Sequence, residues 1–302
     1  MLCCEENMTN SKIVWINSYP KSGNTWMRMF LANYFYANED DIGINDVYRF
    51  IKMDTDRNIV KDYCQSAGLP IISEEGEISL SLFHDTLRYH LGRSGNLFLK
   101  SHAPIHLVHN EAYFPKDLTA CFVYVVRHPF DTLISDLNFN FGSKFFPDYT
   151  DLDVATESEA NQRQIFGFMQ NEAERLHGNH PGHFLGSWKN HVNSYLHAPY
   201  GRVKVVKYED MLADPANTFM GVVRHIIGHC DEKKAEKAIA ACQFKKLQSA
   251  EENSGFKERS TTNNLPFFRH GKSGEGKRQI PGKLQKEIKT LLSSEMKILG
   301  YE

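Results

Sequence analysis

Six cysteines among 302 residues, Cys3, Cys4, Cys64, Cys121, Cys230 and Cys242, show neither the spacing of a zinc site nor a disulfide framework. Thiols scattered in this way suit a reducing compartment, so a cytoplasmic location is expected. No apolar run approaches the roughly 18 residues of a membrane span, and no charged-then-apolar leader opens the chain. A membrane partner is therefore not expected. Beside Cys3 and Cys4, Glu5 and Glu6 replace the basic residues that would hold an acylated start on an anionic membrane, so residues 1–10 read as disordered. Charge of one sign is lacking too. Thirty-five Lys and Arg stand against 37 Asp and Glu, a formal net charge of −2. A nucleic acid or polyanionic partner would favour a basic stripe, so the balance points to a small-molecule acceptor. Internal repeats, low-complexity tracts and Pro- or Ser-rich linkers are also missing. Residues 11–302, with a chain composition of 41% hydrophobic residues, read as one domain.

What is present begins with an apolar run, Ile13-Val14-Trp15-Ile16, then Ser18-Tyr19-Pro20-Lys21-Ser22-Gly23-Asn24-Thr25-Trp26, then a helix-like stretch from Met27 to Tyr36. Strand, loop and helix in that order form a phosphate cradle, with backbone amides at the positive end of a helix. Gly23 lets the backbone approach, Lys21 adds a charge, and Ser22 and Thr25 add hydroxyl donors. The order is not that of a Walker A loop, because here the lysine precedes the only glycine.

A second β-branched run, Val123-Tyr124-Val125-Val126, leads into Arg127-His128-Pro129-Phe130-Asp131, with Ser135 in the following helix. It reads as a buried parallel strand with Arg127 at its carboxyl end, where open α/β sheets bind ligands. Alone, Arg127 reads equally well as a cap on a strand end. A third apolar strand delivers Lys100 and His102 to one side of its carboxyl end before Pro104 stops the ladder. Near the C-terminus, Gly271 through Lys277 spells Gly-x-x-x-x-Gly-Lys, but Arg278 follows in place of the Ser or Thr that holds magnesium.

Taken together, these segments resemble the sulfotransferases that use 3′-phosphoadenosine 5′-phosphosulfate (PAPS), of the soluble cytosolic or bacterial small-molecule type. Residues 18–26 resemble that family's 5′-phosphosulfate loop, and Arg-x-Pro-x-Asp with Ser135 resembles its 3′-phosphate site. Arg269-His270-Gly271 and Gly274 match Arg-Lys-Gly-x-x-Gly, with His270 where the family usually has Lys, which leaves the strength of 3′-phosphate binding open. Leu99-Lys100-Ser101-His102-Ala103-Pro104 resembles Lys-Thr-His-x-Pro. The resemblance implies His102 as general base, a role that suits imidazole at neutral pH, with Lys21 and Lys100 at the reaction centre. It implies Lys21, Ser22, Gly23, Asn24, Thr25, Trp26, Arg127, Ser135, Tyr208, Phe244, Arg269, His270 and Gly271 as cofactor contacts, with no metal.

Trp26, Tyr208 and Phe244 are placed to surround adenine, although lone aromatics are more often core. The implied fold is α/β, one domain with a central parallel sheet flanked by helices and a P-loop-like first loop. The implied reaction is sulfuryl transfer to a hydroxyl or an amine. A P-loop kinase using ATP and a non-catalytic nucleotide-binding protein remain the alternatives. Residues 40–95 and 138–190, without strand periodicity, are expected to roof an acceptor pocket, with Phe139, Phe141, Phe145, Phe146 and Tyr149 as candidate lining. Residues 282–298 read as one amphipathic helix. Its Lys286, Thr290, Leu291 and Glu295 match the spacing of a dimerisation motif of animal members, but too far past the glycine loop, so the match reads as coincidence and the oligomeric state stays open.

Overall fold

Residues Ile13–Ser18 (β1) are buried along their whole length, and Thr119–Val126 (β4) nearly so, because both strands carry apolar side chains on both faces. Such strands are stable only in a sheet covered on two sides. In the computed structural model, which describes residues 12–141, 165, 167–169, 180–182, 184–261 and 263–301, they form the middle of that sheet. With Lys52–Met53 (β2), Leu97–Ser101 (β3) and Arg202–Lys207 (β5) they make five parallel strands in the order β2-β3-β1-β4-β5. The two-residue β2 lies in the region expected to hold only helices and loops. It is too short to show any alternation in the sequence.

Alternate residues of β1 feed two separate cores. Ile13 and Trp15 join Phe83, Leu87, Phe114, Phe122 and Tyr124 on one face. Val14 and Ile16 join Phe30, Leu31, Val123, Val125 and Phe219 on the other. After β1 the chain turns to the second face as the helix Asn24–Tyr36 (α1). After β4 it turns to the first face as the helix Pro129–Phe141 (α2). Adjacent strands whose loops part to opposite faces leave a crevice at their carboxyl ends. That crevice lies between the first loop and Arg127.

The stretch 282–298 is two helices rather than one, Gly282–Leu291 and Ser293–Leu299. The break at Leu292 lets Ile288, Leu292, Met296 and Leu299 all enter the same core. Glu295 is buried and accepts a 2.7 Å bond from Asn193 Nδ2, so it belongs to the interior. At the C-terminus the Tyr301 hydroxyl donates to Glu209 Oε2 at 2.8 Å, while Glu209 Oε1 accepts the backbone N–H of His128 at 3.0 Å. The end of the chain thereby braces the loop after β4. Among the described residues no helix is long and apolar enough to cross a membrane. The side chain of Phe141, with Phe145, Phe146 and Tyr149, lies outside the described residues.

Candidate active site

The loop after β1 turns through two left-handed residues, Lys21 (φ 64°) and Gly23 (φ 108°). A Cβ on Gly23 would stand 2.7 Å from the Tyr208 ring and 3.0 Å from Met211 Cε, so only glycine fits that approach. Gly23 also caps α1 without any side-chain hydrogen bond, which leaves the amides of the first turn open to an anion. Among the described residues the fully buried Ser22 hydroxyl has no hydrogen-bond partner. A buried donor of this kind calls for a ligand.

The polar atoms of the next three side chains, expected from the resemblance to contact the cofactor, find partners within the protein. Asn24 Nδ2 donates to the carbonyl of Ile16 at 3.0 Å, the Thr25 hydroxyl donates to Glu258 Oε2 at 3.0 Å, and Trp26 Nε1 donates to the carbonyl of Cys242 at 2.8 Å. The close packing of α1 on the sheet and on its neighbouring helices brings these partners within reach. Lys21 Nζ lies 3.8 Å from the centre of the Phe139 ring and 4.0 Å from that of Phe267. Phe139 thus lines the lysine. Burial pulls the Lys21 pKa down to about 7, opposed by the Asp136 carboxylate.

Arg127 stacks over Tyr208 at 4.4 Å and donates to the carbonyls of Lys21 at 3.4 Å and Lys272 at 3.1 Å. Its buried Nε has no partner among the described residues. It therefore joins the first loop to the C-terminal loop and keeps its Nε–H, with the remaining Nη hydrogens, for a ligand. Asp131, read from sequence only as part of a motif, holds that second loop, since its two carboxylate oxygens accept the backbone N–H groups of Gly274 and Gly276, each at 2.7 Å. These amides are spent, so the Gly-x-x-x-x-Gly-Lys match is no phosphate cradle.

Gly276 packs against backbone, where an added Cβ would stand 2.3 Å from the Phe130 carbonyl carbon. Gly276→Ala is expected to cost about 1–3 kcal/mol, the usual range for overpacking, seen as a lower urea midpoint. Gly271 (φ 56°) lies on the ring of Phe244, to which a Cβ would come within 2.6 Å. Ser135 and Arg269 line one small cleft with Lys21, Phe139 and Phe267. His270 stands apart, exposed, 3.8 Å from Glu275.

On the other side of β1, His102 Nδ1 lies 2.8 Å from the Ser18 carbonyl oxygen. A carbonyl can only accept, so Nδ1 carries the proton and Nε2 is left with its lone pair. The His102 carbonyl in turn accepts from His191 Nε2 at 3.0 Å, and His191 Nδ1 accepts from the Tyr124 hydroxyl at 2.9 Å. Burial and then the Lys100 charge hold the pKa of His102 well below that of free histidine. It is a neutral base with a fixed tautomer. Lys100 faces α1, with Nζ 3.7 Å from Glu258 Oε2, and burial draws its pKa down to about 8 against the pull of Glu258. Asp54, buried and bonded by Tyr113 at 2.8 Å, has its carboxyl pushed up to about 6 by burial.

Sequence reasoning missed Glu258, Arg28 and His191. Thr25 and Glu258 lie 233 positions apart, and no local pattern connects them.

A family model for the sulfotransferase domain matches residues 11–300, and the chain belongs to that family. It is a sulfotransferase enzyme, and the kinase reading falls. Cytosolic sulfotransferase 17 of Arabidopsis thaliana is 23% identical over 300 residues, covering 95% of this chain and 75% of that protein. Cytosolic sulfotransferase 16 of the same plant is 26% identical over 294 residues, covering 94% and 75%. Among solved structures, mouse sulfotransferase SULT7A1 complexed with PAP superposes with a TM-score of 0.56 at 18% identity, covering 95% of this chain and 84% of that one. Retinol dehydratase in complex with androsterone and inactive cofactor PAP gives 0.57 at 16%, covering 95% and 81%. At such identities the two structures speak for the fold.

Proposed function

We propose that the protein transfers a sulfuryl group from PAPS to a hydroxyl, or an amine, of a small-molecule acceptor, with His102 as general base. The observation that carries the reading is the fixed tautomer of His102, whose basic Nε2 stands near an anion cradle containing two lysines. The amides of the first loop with Lys21 and Ser22 would hold the 5′-phosphosulfate. Arg127, Ser135, Arg269 and the Gly271 amide would hold the 3′-phosphate, within an apolar surround of Trp26, Tyr208 and Phe244. The partnerless Ser22 hydroxyl and Arg127 Nε fit those two anionic groups. Bound there, PAPS supplies the sulfuryl group and a stable bisphosphate leaving group.

His102 Nε2 takes the proton from the acceptor as its oxygen or nitrogen becomes the nucleophile. Lys21 is placed for the charge that grows on the departing phosphate oxygen, and Lys100 for the sulfuryl oxygens. Lysines and helix amides do the work that magnesium does in phosphoryl transfer, so the reading requires no metal. Residues 11–302 act as one domain in a cytoplasmic enzyme, in keeping with the plant relatives' names. That two structural neighbours hold PAP supports the choice of donor.

Calorimetric titration with 3′-phosphoadenosine 5′-phosphate (PAP), against ATP with magnesium, tests the reading. Tight binding of the bisphosphate and weaker binding of ATP are expected. Preference for ATP would overturn it.

A further inference from the structure

The carboxylate of Glu258 enters the anion site itself, where an acidic group ought to oppose a bound phosphosulfate. Its two oxygens are both engaged. Oε1 accepts from Arg28 Nη2 at 2.6 Å, and Oε2 accepts from the Thr25 hydroxyl at 3.0 Å with Lys100 Nζ 3.7 Å away. Arg28 is almost wholly buried in α1, and Glu258 is the partner its guanidinium meets there. A buried guanidinium has to keep a counter-charge, so Glu258 stays in place whether or not an anion is bound.

We propose that Glu258 is a positioning residue for sulfuryl transfer: anchored by Arg28, it holds the ammonium of Lys100 at the mouth of the first loop and turns the Thr25 hydroxyl away from the bound anion. The inference rests on the reading of the site as one for PAPS.

Geometry separates this role from that of a plain counterion. An ammonium 3.7 Å from the carboxylate is close enough for strong attraction, yet too far to give up its three N–H donors. Lys100 therefore keeps them for sulfuryl oxygens. The groups facing it come from every neighbouring element: Arg28 from α1, Lys21 from the first loop, Asp54 after β2, His102 after β3, and Glu258 from the segment after the helix Phe244–Ser254. Among these Glu258 exerts the largest pull toward the charged form, and Arg28 opposes it. The thiol-free, largely desolvated pocket would otherwise favour neutral lysine.

The test is a ¹³Cε-lysine NMR titration of wild type, Glu258→Gln and Arg28→Met, with the Lys100 signal assigned by its loss in Lys100→Arg. The amide oxygen of Glu258→Gln still accepts from Arg28, and its NH2 donates to the Thr25 hydroxyl oxygen in place of accepting from it, so the fold is expected to survive. In that variant Lys100 should titrate about one pH unit or more lower. In Arg28→Met, which frees Glu258 for Lys100, it should titrate higher. PAP affinity, measured by calorimetry, should be unchanged or tighter in Glu258→Gln, because a negative charge leaves the site while transfer slows.

Opposite shifts with retained PAP binding support the proposal. An unshifted Lys100 in either folded variant overturns it. Failure of wild type to bind PAP would overturn the PAPS reading instead, and the two failures are distinguishable because the titration uses no ligand.

Discussion

His102→Ala lowers sulfuryl transfer by roughly 10²–10⁴-fold, the usual worth of a positioned general base, while PAP affinity stays near that of wild type. The separation follows from the structure. His102 follows β3, across β1 from the strand that carries Arg127, and the short bond of its imidazole is to the Ser18 carbonyl. Single-turnover consumption of PAPS with an acceptor that serves the wild type is the measurement, with calorimetry alongside. A variant that binds PAP and turns over normally would remove His102 from the mechanism, and would leave a nucleotide-binding site whose base is ornamental.

The pH profile of the wild type carries the same assignment. His102 works in its neutral form, and its pKa lies well below 6.5, so the acid limb of kcat/KM should fall below that value. Lys21 and Lys100 work as cations, with pKa values drawn to about 7 and about 8. As pH rises through those values the cations are lost, and kcat/KM should decline from near pH 7 upward. A bound anion favours both ammonium groups, so the alkaline limb of kcat should lie higher than that of kcat/KM.

Arg127→Ala should remove most PAP affinity. Truncating one partner of a buried, hydrogen-bonded charge pair costs about 2–5 kcal/mol, which is roughly 30- to 5,000-fold in Kd. Three further contacts are lost, since Arg127 also donates to Lys21 and Lys272 and stacks on Tyr208. Calorimetry gives the affinity, and the urea midpoint shows whether the loops have come apart. Arg127→Lys should recover little, because an ammonium lacks the planar fork that reaches two carbonyls and a ligand together. Wild-type affinity in Arg127→Ala would move the 3′-phosphate site elsewhere.

Much of this architecture was legible in the sequence, for local reasons. Continuous apolar runs at residues 13–16 and 123–126 announce strands covered on both faces, and a glycine with a lysine just after the first of them announces an anion loop. The dependence of Gly23 on its left-handed φ, and the end of β3 at Lys100 and His102, are properties of a few consecutive residues. Side-chain partners and direction were not legible in this way. The polar atoms of Asn24, Thr25 and Trp26 bond to Ile16, Glu258 and Cys242, the last two more than 200 positions away. Phe139, expected among acceptor-lining residues, lies on Lys21. Residues 282–298 have the period of one helix, yet packing of Leu292 divides it.

By itself, then, the sequence determined the family, the parallel sheet and its P-loop-like first loop, and offered His102 as the candidate base, because each is written in short segments whose backbone geometry follows from neighbouring residues. Only the tertiary structure decided the tautomer of His102, the anchoring of the glycine loop by Asp131, and the entry of Glu258 between Arg28, Thr25 and Lys100. Those depend on contacts between distant positions, where distance and burial set protonation and direction. Spacing along the chain carries neither.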